Sequence, residues 1–448
     1  MFGGWMTCRY LAYKELIAAT QPFILIFIEQ IEPFVFKIPL SATSFFTAFT
    51  MSPSAVESAQ QTVDEIKTKV LPVQQKSTVI EANIPETEGL PKRLEDHKEA
   101  LKLSGALEQF ESFEVTPALG REYVNVDLSE LLRAPNSDEL LRDLAITISQ
   151  RGVVFFRKQD NLTDDLQKEL VDRLGKLAGK PATSGLHIHP ISNASREHGG
   201  GDNEISVISS EQAKALYKDR FSYKGVGVST GRQSAKDQWH SDITFEPIPS
   251  DYALLRLVQL PKTGGDTLWA SGYELYDRIS PTLRSFLDTL TAYYAQPLFN
   301  EAAKRNGFSV YSGERGAPEN VGETLEAIHP VIRTNPVTGW RSVYAVGHHC
   351  QRINGLTEEE SKYFLNWFTQ LIVENHDLQV RLKWQNPNDV AIWDNRSVYH
   401  AATPDYVFEE GLGERKGNRA VSLGERPYFD SQSTSRREAL KIKSHLGL

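Results

Sequence analysis

Two stretches of this chain, Trp-His-Ser-Asp at residues 239–242 and Trp-Asp-Asn-Arg-Ser-Val-Tyr-His at residues 393–400, decide how the rest is interpreted. In an extended strand, residues i and i+2 point to the same face, so His240 and Asp242 can bind one metal ion. His400 can complete the set from a distant strand. A surface histidine beside an N-capping aspartate is the plainer explanation of an isolated His-x-Asp, but the surroundings of this one favour a metal site.

Two further motifs make up those surroundings. Residues 260–269, Leu-Pro-Lys-Thr-Gly-Gly-Asp-Thr-Leu-Trp, predict a glycine turn that leads into a short strand. Downstream of His400, Arg415 and Arg419 stand four residues apart before the small apolar run Ala-Val-Ser-Leu-Gly. Two imidazoles and one carboxylate with open coordination positions form the facial triad of non-haem Fe(II) oxygenases, which lets an organic cosubstrate and O₂ bind the same iron.

The ordered set WHSD, LPKTGGDTLWAS, AIWDNRSVYHAA and ERKGNRAVSLG resembles the taurine dioxygenase family of Fe(II)/2-oxoglutarate-dependent oxygenases, in a fungal-type variant. The similarity runs from about Val115 to Phe429 and includes Leu-His-Ile-His-Pro at 186–190. The resemblance implies a mainly β fold with inserted helices (α+β), built as a double-stranded β-helix or jelly-roll barrel. It also implies Fe(II), 2-oxoglutarate as cosubstrate, and O₂.

The resemblance gives three residues the role of iron ligands: His240, Asp242 and His400. Halogenating relatives replace the carboxylate with a small residue, so the presence of Asp242 points to hydroxylation. The C5 carboxylate of 2-oxoglutarate would be bound by Arg415 and the Thr267 hydroxyl, because a guanidinium fork matches a carboxylate. The alternative for Arg415 is a surface cation of the acidic loop at 408–413.

The resemblance also implies a clamp for the anionic group of the substrate, made by Arg419 and His189. The alternatives are a salt bridge that supports the strand, for Arg419, and a structural histidine, for His189. His187 is interpreted as structural.

The predicted substrate pocket departs from the taurine enzymes at two positions, where Ser192 and His349 replace aromatic residues. These changes put taurine itself in doubt, though not an anionic substrate. A second metal site at His348 and His349 lacks suitably spaced partners, and a pocket wall is the better interpretation. Asp394 and Asn395 either support the ligands or shape the turn before His400.

Composition agrees with a globular enzyme, since 40% of the 448 residues are hydrophobic and 24% are charged. A β-rich core with insertions can take this length as one domain. The net charge of −9 argues against nucleic acid as a partner. The two cysteines, Cys8 and Cys350, give no disulfide framework and suit a reducing compartment, so we expect a cytoplasmic protein. The expected partner is the small anionic substrate that the resemblance implies. A homo-oligomer is left open.

Residues 1–50 form an apolar leader, or an upstream extension that the natural chain lacks. Acidic residues, Glu29 and Glu32, interrupt its apolar run, and no stretch reaches the roughly 18–20 residues that span a bilayer, so no stable membrane span is expected. Either the natural chain begins at Met51, or residues 1–50 direct the protein to an organelle.

Beyond Met51, composition predicts a flexible polar arm over 51–105, followed by the dioxygenase domain with a C-terminal extension over 106–448. Leucines at three- and four-residue spacing predict an amphipathic helix over 163–177. The other predicted helices cover 107–113, 273–294 and 358–375, with an interruption of the second allowed at Pro281. Strands are predicted near 124 and 153 and over 204–209, 252–259, 267–269, 342–346, 389–393 and 419–423.

Three functions fit this sequence. The leading one is a 2-oxoglutarate-dependent dioxygenase that hydroxylates the carbon next to an aliphatic sulfonate such as taurine, giving sulfite, an aldehyde, succinate and CO₂. The second is the same chemistry on a sulfate ester, an aryloxyalkanoate or another carboxylate. The third is a non-catalytic barrel that binds a metabolite.

Overall fold

The structure is a computed structural model, and it describes residues 97–192, 202–216 and 236–443. The predictions for the apolar leader, and for the arm as far as residue 96, lie outside these residues. The described part is a sheet-rich fold with inserted helices, as the sequence predicted.

The described residues contain fifteen strands. They are β1 (Ser112–Glu114), β2 (Arg121–Tyr123), β3 (Val153–Phe156), β4 (Ile205–Ser209), β5 (Ser250–Gln259), β6 (Thr267–Ser271), β7 (Thr291–Ala295), β8 (Glu326–Pro330), β9 (Ile332–Thr334), β10 (Arg341–Val343), β11 (Cys350–Ile353), β12 (Gln379–Leu382), β13 (Val390–Asp394), β14 (Val398–Ala402) and β15 (Lys416–Leu423). They form a seven-stranded sheet in the order β1-β2-β3-β13-β5-β15-β4, the three-stranded sheets β12-β6-β14 and β11-β7-β8, and the pair β10-β9.

Helices fill the connections between these strands. They are α1 (Leu128–Arg133), α2 (Ser137–Arg151), α3 (Asp164–Leu177), α4 (Ser210–Leu216), α5 (Gly272–Asp277), α6 (Pro281–Leu287), α7 (Pro297–Arg305), α8 (Glu358–Glu374) and α9 (Arg436–Ala439). The predicted amphipathic helix is α3, and its N-cap Thr163 accepts a hydrogen bond from the Leu166 N–H. α8 begins with a capping box between Thr357 and Glu360.

The central strands of the seven-stranded sheet are buried on both faces. On β5, Leu254 belongs to a hydrophobic cluster with Leu144 of α2 and Leu170 of α3. The next residue, Leu255, belongs to a different cluster with Trp269 of β6. Successive residues of a strand point to opposite faces, so one face packs against helices and the other against the β12-β6-β14 sheet. The candidate site residues lie at the second face.

The helix predicted over 273–294 is wrong beyond residue 287. α5 and α6 cover its first part, but Thr-Ala-Tyr-Tyr-Ala at 291–295 forms β7, which pairs with β8 and β11. β-branched and aromatic side chains favour a strand once neighbouring strands are available, and the sequence alone does not show those neighbours. The helix predicted over 107–113 is also wrong, because a short 3₁₀ turn, Ala106–Gln109, is followed by β1.

Residues 97–106 contact the domain. The buried carboxylate of Asp143, on α2, accepts hydrogen bonds of 2.9–3.1 Å from the backbone N–H groups of Ser104, Gly105 and Ala106. The Leu101 N–H donates to the backbone carbonyl of Val337 at 2.9 Å. The boundary between arm and domain at residue 106 stays a prediction. Across the described ranges, none of the helices has the length and apolar character needed to cross a membrane.

Candidate active site

His240 and His400 are joined through their backbones. The His240 N–H donates to the His400 carbonyl at 3.1 Å, and the His400 N–H donates to the His240 carbonyl at 2.8 Å, so the two residues form an isolated antiparallel bridge. β14 pairs His400 with Trp269 on β6. The two imidazole rings lie 4.3 Å apart. This bridge brings together the two sequence motifs that predicted a metal site.

A tight turn brings Asp242 towards the histidines. Ile243, the next residue, has φ 47°, a left-handed conformation that is rare for a β-branched side chain and costs about 1–3 kcal/mol. Asn395 holds this turn, since its Oδ1 accepts from the Asp242 N–H at 3.1 Å and its carbonyl accepts from the Ser241 hydroxyl at 2.6 Å. The extended strand predicted around His240 is therefore wrong, and the ligands converge because the chain turns.

The three candidate ligands form one cluster. The Nε2 atoms of His240 and His400 lie 3.9 and 3.8 Å from Oδ1 of Asp242, and one ligand atom from each residue lies within 4.8 Å of the others. Burial lowers the pKa of His400 to about 3, so its imidazole is neutral near pH 7. Burial alone would raise the pKa of Asp242, but Arg419 together with the neighbouring histidines outweighs burial and lowers that pKa to about 2. The cluster thus offers a neutral imidazole beside an ionised carboxylate.

The donor set fits a divalent iron. His240 Nδ1 donates to the Gln238 carbonyl at 2.7 Å, which fixes the ring proton there and leaves the Nε2 lone pair facing Asp242. Oδ2 of Asp242 is buried and has no hydrogen-bond partner among the described residues. Buried carboxylate oxygens are normally bound, so a metal ion is the natural partner for this group.

Gly347 supports His240 from behind. It has φ 96°, and a Cβ added there would lie 2.9 Å from the Cα and Cβ of His240 and from the Trp239 carbonyl. Real Cβ atoms do not approach backbone atoms so closely, so any side chain at this position must displace His240. On the same loop, the exposed His348 places its ring 5.1 Å from that of His240.

Arg415 and Thr267 form a buried polar pair next to the triad strands. Arg415 donates from Nε to the Gly265 carbonyl at 3.0 Å and from Nη2 to the Thr267 hydroxyl at 3.1 Å. Trp384 Nε1 donates to the same hydroxyl at 3.1 Å. With two donors on its oxygen, the Thr267 hydroxyl keeps its own proton for another acceptor. Both groups that accept hydrogen bonds from Arg415 are neutral. A buried guanidinium is stable only when its charge is paired, so an anionic ligand is expected beside it. The burial contradicts the surface-cation alternative for Arg415.

Arg419 binds a candidate metal ligand directly. Its Nη1 donates to Oδ1 of Asp242 at 2.5 Å, and its Nε is buried without a hydrogen-bond partner in the part of the chain that the structure describes. A salt bridge is present, as one alternative predicted, but its partner is Asp242 rather than a residue of the neighbouring strands. The guanidinium therefore lies at the triad with a donor still to be satisfied.

His189 lies in the same region because residues 185–189 run beside β15, where the His187 N–H donates to the Val421 carbonyl at 2.8 Å. Nδ1 of His189 accepts from the N–H groups of Ile191 and Ser192, at 3.2 and 2.9 Å. Burial, with Arg419 nearby, holds the pKa of His189 well below its usual value. The neutral ring thus carries its proton on Nε2, which is a donor.

His187 has a structural environment, as predicted. Its Nε2 lies 3.1 Å from a carboxylate oxygen of Glu246, and Glu246 forms a buried ion pair with Arg315. Asp394 also stabilises the turn between β13 and β14, where it pairs with Arg396 and accepts from Ser149. Asn395, by contrast, contacts the turn that carries Asp242.

A series of aromatic rings links His189 to the triad. Phe299 of α7 lies 5.1 Å from His189 and 5.7 Å from Phe245, and Phe245 lies 5.1 Å from His349. His349 is buried, lies 6.1 Å from His240, and is bound through Nδ1 to the Thr244 hydroxyl at 3.0 Å. This arrangement agrees with the interpretation of His349 as a pocket wall.

Several residues of this site were missed in the sequence. Gly347, Thr244 and Phe245 lie next to predicted ligands or pocket residues, and the Gly-His-His run was a signal for the first. No motif in the sequence pointed to Phe299 or Trp384, because they come to the site from segments far away in the sequence.

Comparison with known proteins identifies the family. The family model described as "Taurine catabolism dioxygenase TauD, TfdA family" matches residues 111–421. The chain belongs to this family. As a member of the TauD, TfdA family it is an enzyme, a 2-oxoglutarate-dependent dioxygenase, and both the predicted resemblance and the predicted enzyme class are confirmed.

Individual relatives of this TauD, TfdA family member agree with that assignment. It is 53% identical to the alpha-ketoglutarate-dependent dioxygenase btcD of Neocamarosporium betae, over 76% of this chain and 98% of the relative. It is 32% identical to an alpha-ketoglutarate-dependent sulfonate dioxygenase of Saccharomyces cerevisiae, over 70% of this chain and 67% of the relative. A solved taurine dioxygenase from Burkholderia xenovorans has the same fold, with 24% identity, a TM-score of 0.51, and coverage of 71% of this chain and 90% of that chain.

Proposed function

We propose that this dioxygenase uses Fe(II), 2-oxoglutarate and O₂ to hydroxylate a small organic anion. The observation that carries the proposal is the convergence of His240, Asp242 and His400 within 4.8 Å of one another, beside the buried Arg419. Bound Fe(II) would supply open coordination positions for 2-oxoglutarate and O₂. The three side chains would hold it through two Nε2 atoms and one carboxylate.

Arg415 and Thr267 would bind the C5 carboxylate of 2-oxoglutarate. The guanidinium lies 3.1 Å from the Thr267 hydroxyl, so both donors can serve one carboxylate. Trp384 and the Gly265 carbonyl fix the orientation of the pair before the cosubstrate arrives. This pre-organisation lowers the entropic cost of ordering the donors.

Arg419 and His189 would bind the anionic group of the prime substrate. Both are buried, and burial near Arg419 keeps the His189 ring neutral, with its proton on Nε2. A clamp of this kind accepts a sulfonate, a sulfate ester or a carboxylate. An aliphatic sulfonate is supported by the sulfonate dioxygenase among the relatives, whereas the name of the more similar btcD specifies no substrate. A sulfate ester, an aryloxyalkanoate or another carboxylate is the second candidate.

The remaining features of the protein are proposed from the sequence. The two facing sheets would form the double-stranded β-helix, and residues 106–448 would hold the catalytic domain after the polar arm (51–105). A cytoplasmic location stays a prediction, and the oligomeric state stays open.

A substrate panel tests the proposed function. Sulfonates, sulfate esters and carboxylates are supplied with Fe(II) and 2-oxoglutarate, and succinate and sulfite are measured in parallel. We expect at least one anion to stimulate succinate formation. Sulfite release identifies a sulfonate substrate, and stimulation without sulfite identifies another anion. A protein that fails to bind Fe(II) and 2-oxoglutarate would refute the proposal.

A further inference from the structure

Thr244 fixes the tautomer of His349. Their side chains are 1% and 4% exposed, and the hydroxyl oxygen lies 3.0 Å from Nδ1 of the ring. A buried hydroxyl proton needs an acceptor, and His349 Nδ1 is the hydrogen-bond partner found for it among the described residues. The hydroxyl therefore donates to Nδ1, so the ring proton of His349 lies on Nε2.

The Nε2–H of His349 is not used within the described part of the protein. The hydrogen bond to Thr244 occupies the opposite edge of the ring, and Phe245 contributes only an aromatic contact at 5.1 Å. The ring lies 6.1 Å from that of His240. His349 thus places a hydrogen-bond donor that has no acceptor among the described residues next to the proposed metal ligands.

Two further residues near the triad, His189 and Arg419, also offer donors. His189 carries its proton on Nε2 because its Nδ1 accepts two backbone N–H groups. Arg419 has only N–H groups, and its Nε is buried without a partner among the described residues. Phe299 and Phe245, which lie between His189 and His349, add no acceptor.

We infer that the prime substrate is an oxygen-rich anion with two acceptor groups, and that His349 determines this specificity. Arg419 and His189 bind the first group, which is anionic. The Nε2–H of His349 binds the second, which is a carboxylate, carbonyl or hydroxyl oxygen. Taurine carries an ammonium group at the position of the second acceptor. The N–H donors of that group would face the Nε2–H donor of His349, and two donors form no hydrogen bond. The inference rests on the proposed function, and it replaces an aminosulfonate with an oxygen-bearing anion as the substrate class.

Three matched sulfonates test this inference by direct binding. They are 3-sulfopropanoate, taurine and propane-1-sulfonate, which share the sulfonate and differ in a carboxylate, an ammonium or a methyl group at the other end. Calorimetry is done without O₂ on protein loaded with Fe(II) and N-oxalylglycine, so that the cosubstrate site is filled. We expect 3-sulfopropanoate to bind about tenfold or more tightly than the other two, because a site built to hydrogen-bond a polar group rejects analogues that lack it.

Variants of His349 and Thr244 test whether His349 causes this preference. H349F should abolish the advantage of 3-sulfopropanoate, and H349Q, which keeps an amide N–H₂ donor, should retain part of it. T244V removes the hydroxyl that donates to Nδ1, so it should release the tautomer and reduce the advantage. Nitrogen NMR of the histidine rings should report a proton on Nε2 of His349 in the wild type and its partial loss in T244V.

Several outcomes would overturn the inference. Taurine could bind as tightly as 3-sulfopropanoate, H349F could keep the wild-type preference, or NMR could find the His349 proton on Nδ1. Absence of binding by all three sulfonates, in protein that binds Fe(II) and N-oxalylglycine, would also overturn it. Failure to bind Fe(II) or N-oxalylglycine is a different result, because it refutes the proposed function itself. Unchanged thermal midpoints establish that the variants are folded.

Discussion

Arg419 donates a hydrogen bond of 2.5 Å from Nη1 to Oδ1 of Asp242, so the proposed substrate clamp and the proposed metal site share a contact. Both side chains are buried, and each would leave the other as an unpaired charge if it were removed. Arg419, together with the neighbouring histidines, also lowers the pKa of Asp242 to about 2, which keeps the carboxylate ionised for a metal ion. Substrate binding and metal binding are therefore expected to influence each other through this pair.

The metal triad is tested by single substitutions. H240A, D242A and H400A should each abolish Fe(II)-dependent succinate formation and weaken Fe(II) binding, because each removes one of three protein ligands. H348A is the matched control, since this exposed histidine lies 5.1 Å from His240 but outside the cluster. Wild-type turnover in a triad variant would refute the assignment.

The two arginines should have separable effects. R415L should weaken 2-oxoglutarate binding, and R419L should mainly weaken prime-substrate binding, because loss of a buried charge partner typically costs about 2–5 kcal/mol. Dissociation constants for each ligand are measured in both variants. If R419L weakened only 2-oxoglutarate binding, Arg419 would be the residue that binds the cosubstrate, and the roles of the two arginines would have to be exchanged.

Gly347 should be required for the position of His240. G347A should lower Fe(II) affinity about tenfold or more, because its Cβ would meet backbone atoms of residues 239 and 240 at 2.9 Å. G355A is the control, since Gly355 has φ 82° but no atom within 4 Å of an added Cβ. In both variants the free energy of unfolding should fall by about 1–2 kcal/mol, because alanine is strained in a left-handed backbone conformation. Equal Fe(II) affinity in the two would show that the contact does not position His240.

His329 should make stability fall at mildly acidic pH. Burial lowers its pKa from 6.5 to about 3, while its Nε2 lies 3.0 and 3.1 Å from the carbonyls of Thr244 and Glu246. Between these pKa values the unfolded chain binds more protons at His329, so the free energy of unfolding decreases as pH falls below 6.5. The expected contribution is about 1 kcal/mol over the first pH unit. Between pH 6.5 and 5.5, the free energy of unfolding measured with urea should decrease less for H329N than for the wild type. Equal decreases would show that His329 does not cause the loss of stability.

Removal of residues 97–106 should destabilise the domain. A chain that starts at residue 97 keeps the donors to Asp143, whereas one that starts at residue 107 leaves this buried carboxylate without them. An unsatisfied buried acceptor costs about 1–3 kcal/mol, and more when it is charged. Denaturant unfolding of the two chains measures the difference, and D143N in the shorter chain should recover part of it. Equal stability would show that these hydrogen bonds contribute little.

The sequence by itself determined the class of enzyme and the residue types of the site. Side chains that bind metals and carboxylates are few, and His240, Asp242, His400 and Arg415 occur in an order that an unrelated protein would not repeat. Local periodicity also predicted α3 and most of the strands of the large sheet, since a half-buried helix or strand repeats its apolar residues at a fixed interval.

Only the tertiary structure decided how these side chains meet. Asp242 reaches the histidines through a strained turn held by Asn395, rather than through the alternation of a strand, because backbone conformation there depends on a contact from a distant segment. The strand β7 likewise formed where a helix was predicted, since its partners lie elsewhere in the chain. The tautomer of His349 depends on one hydroxyl, that of Thr244, placed by folding at 3.0 Å. Sequence patterns record local preference, whereas these features arise from contacts between residues far apart in sequence.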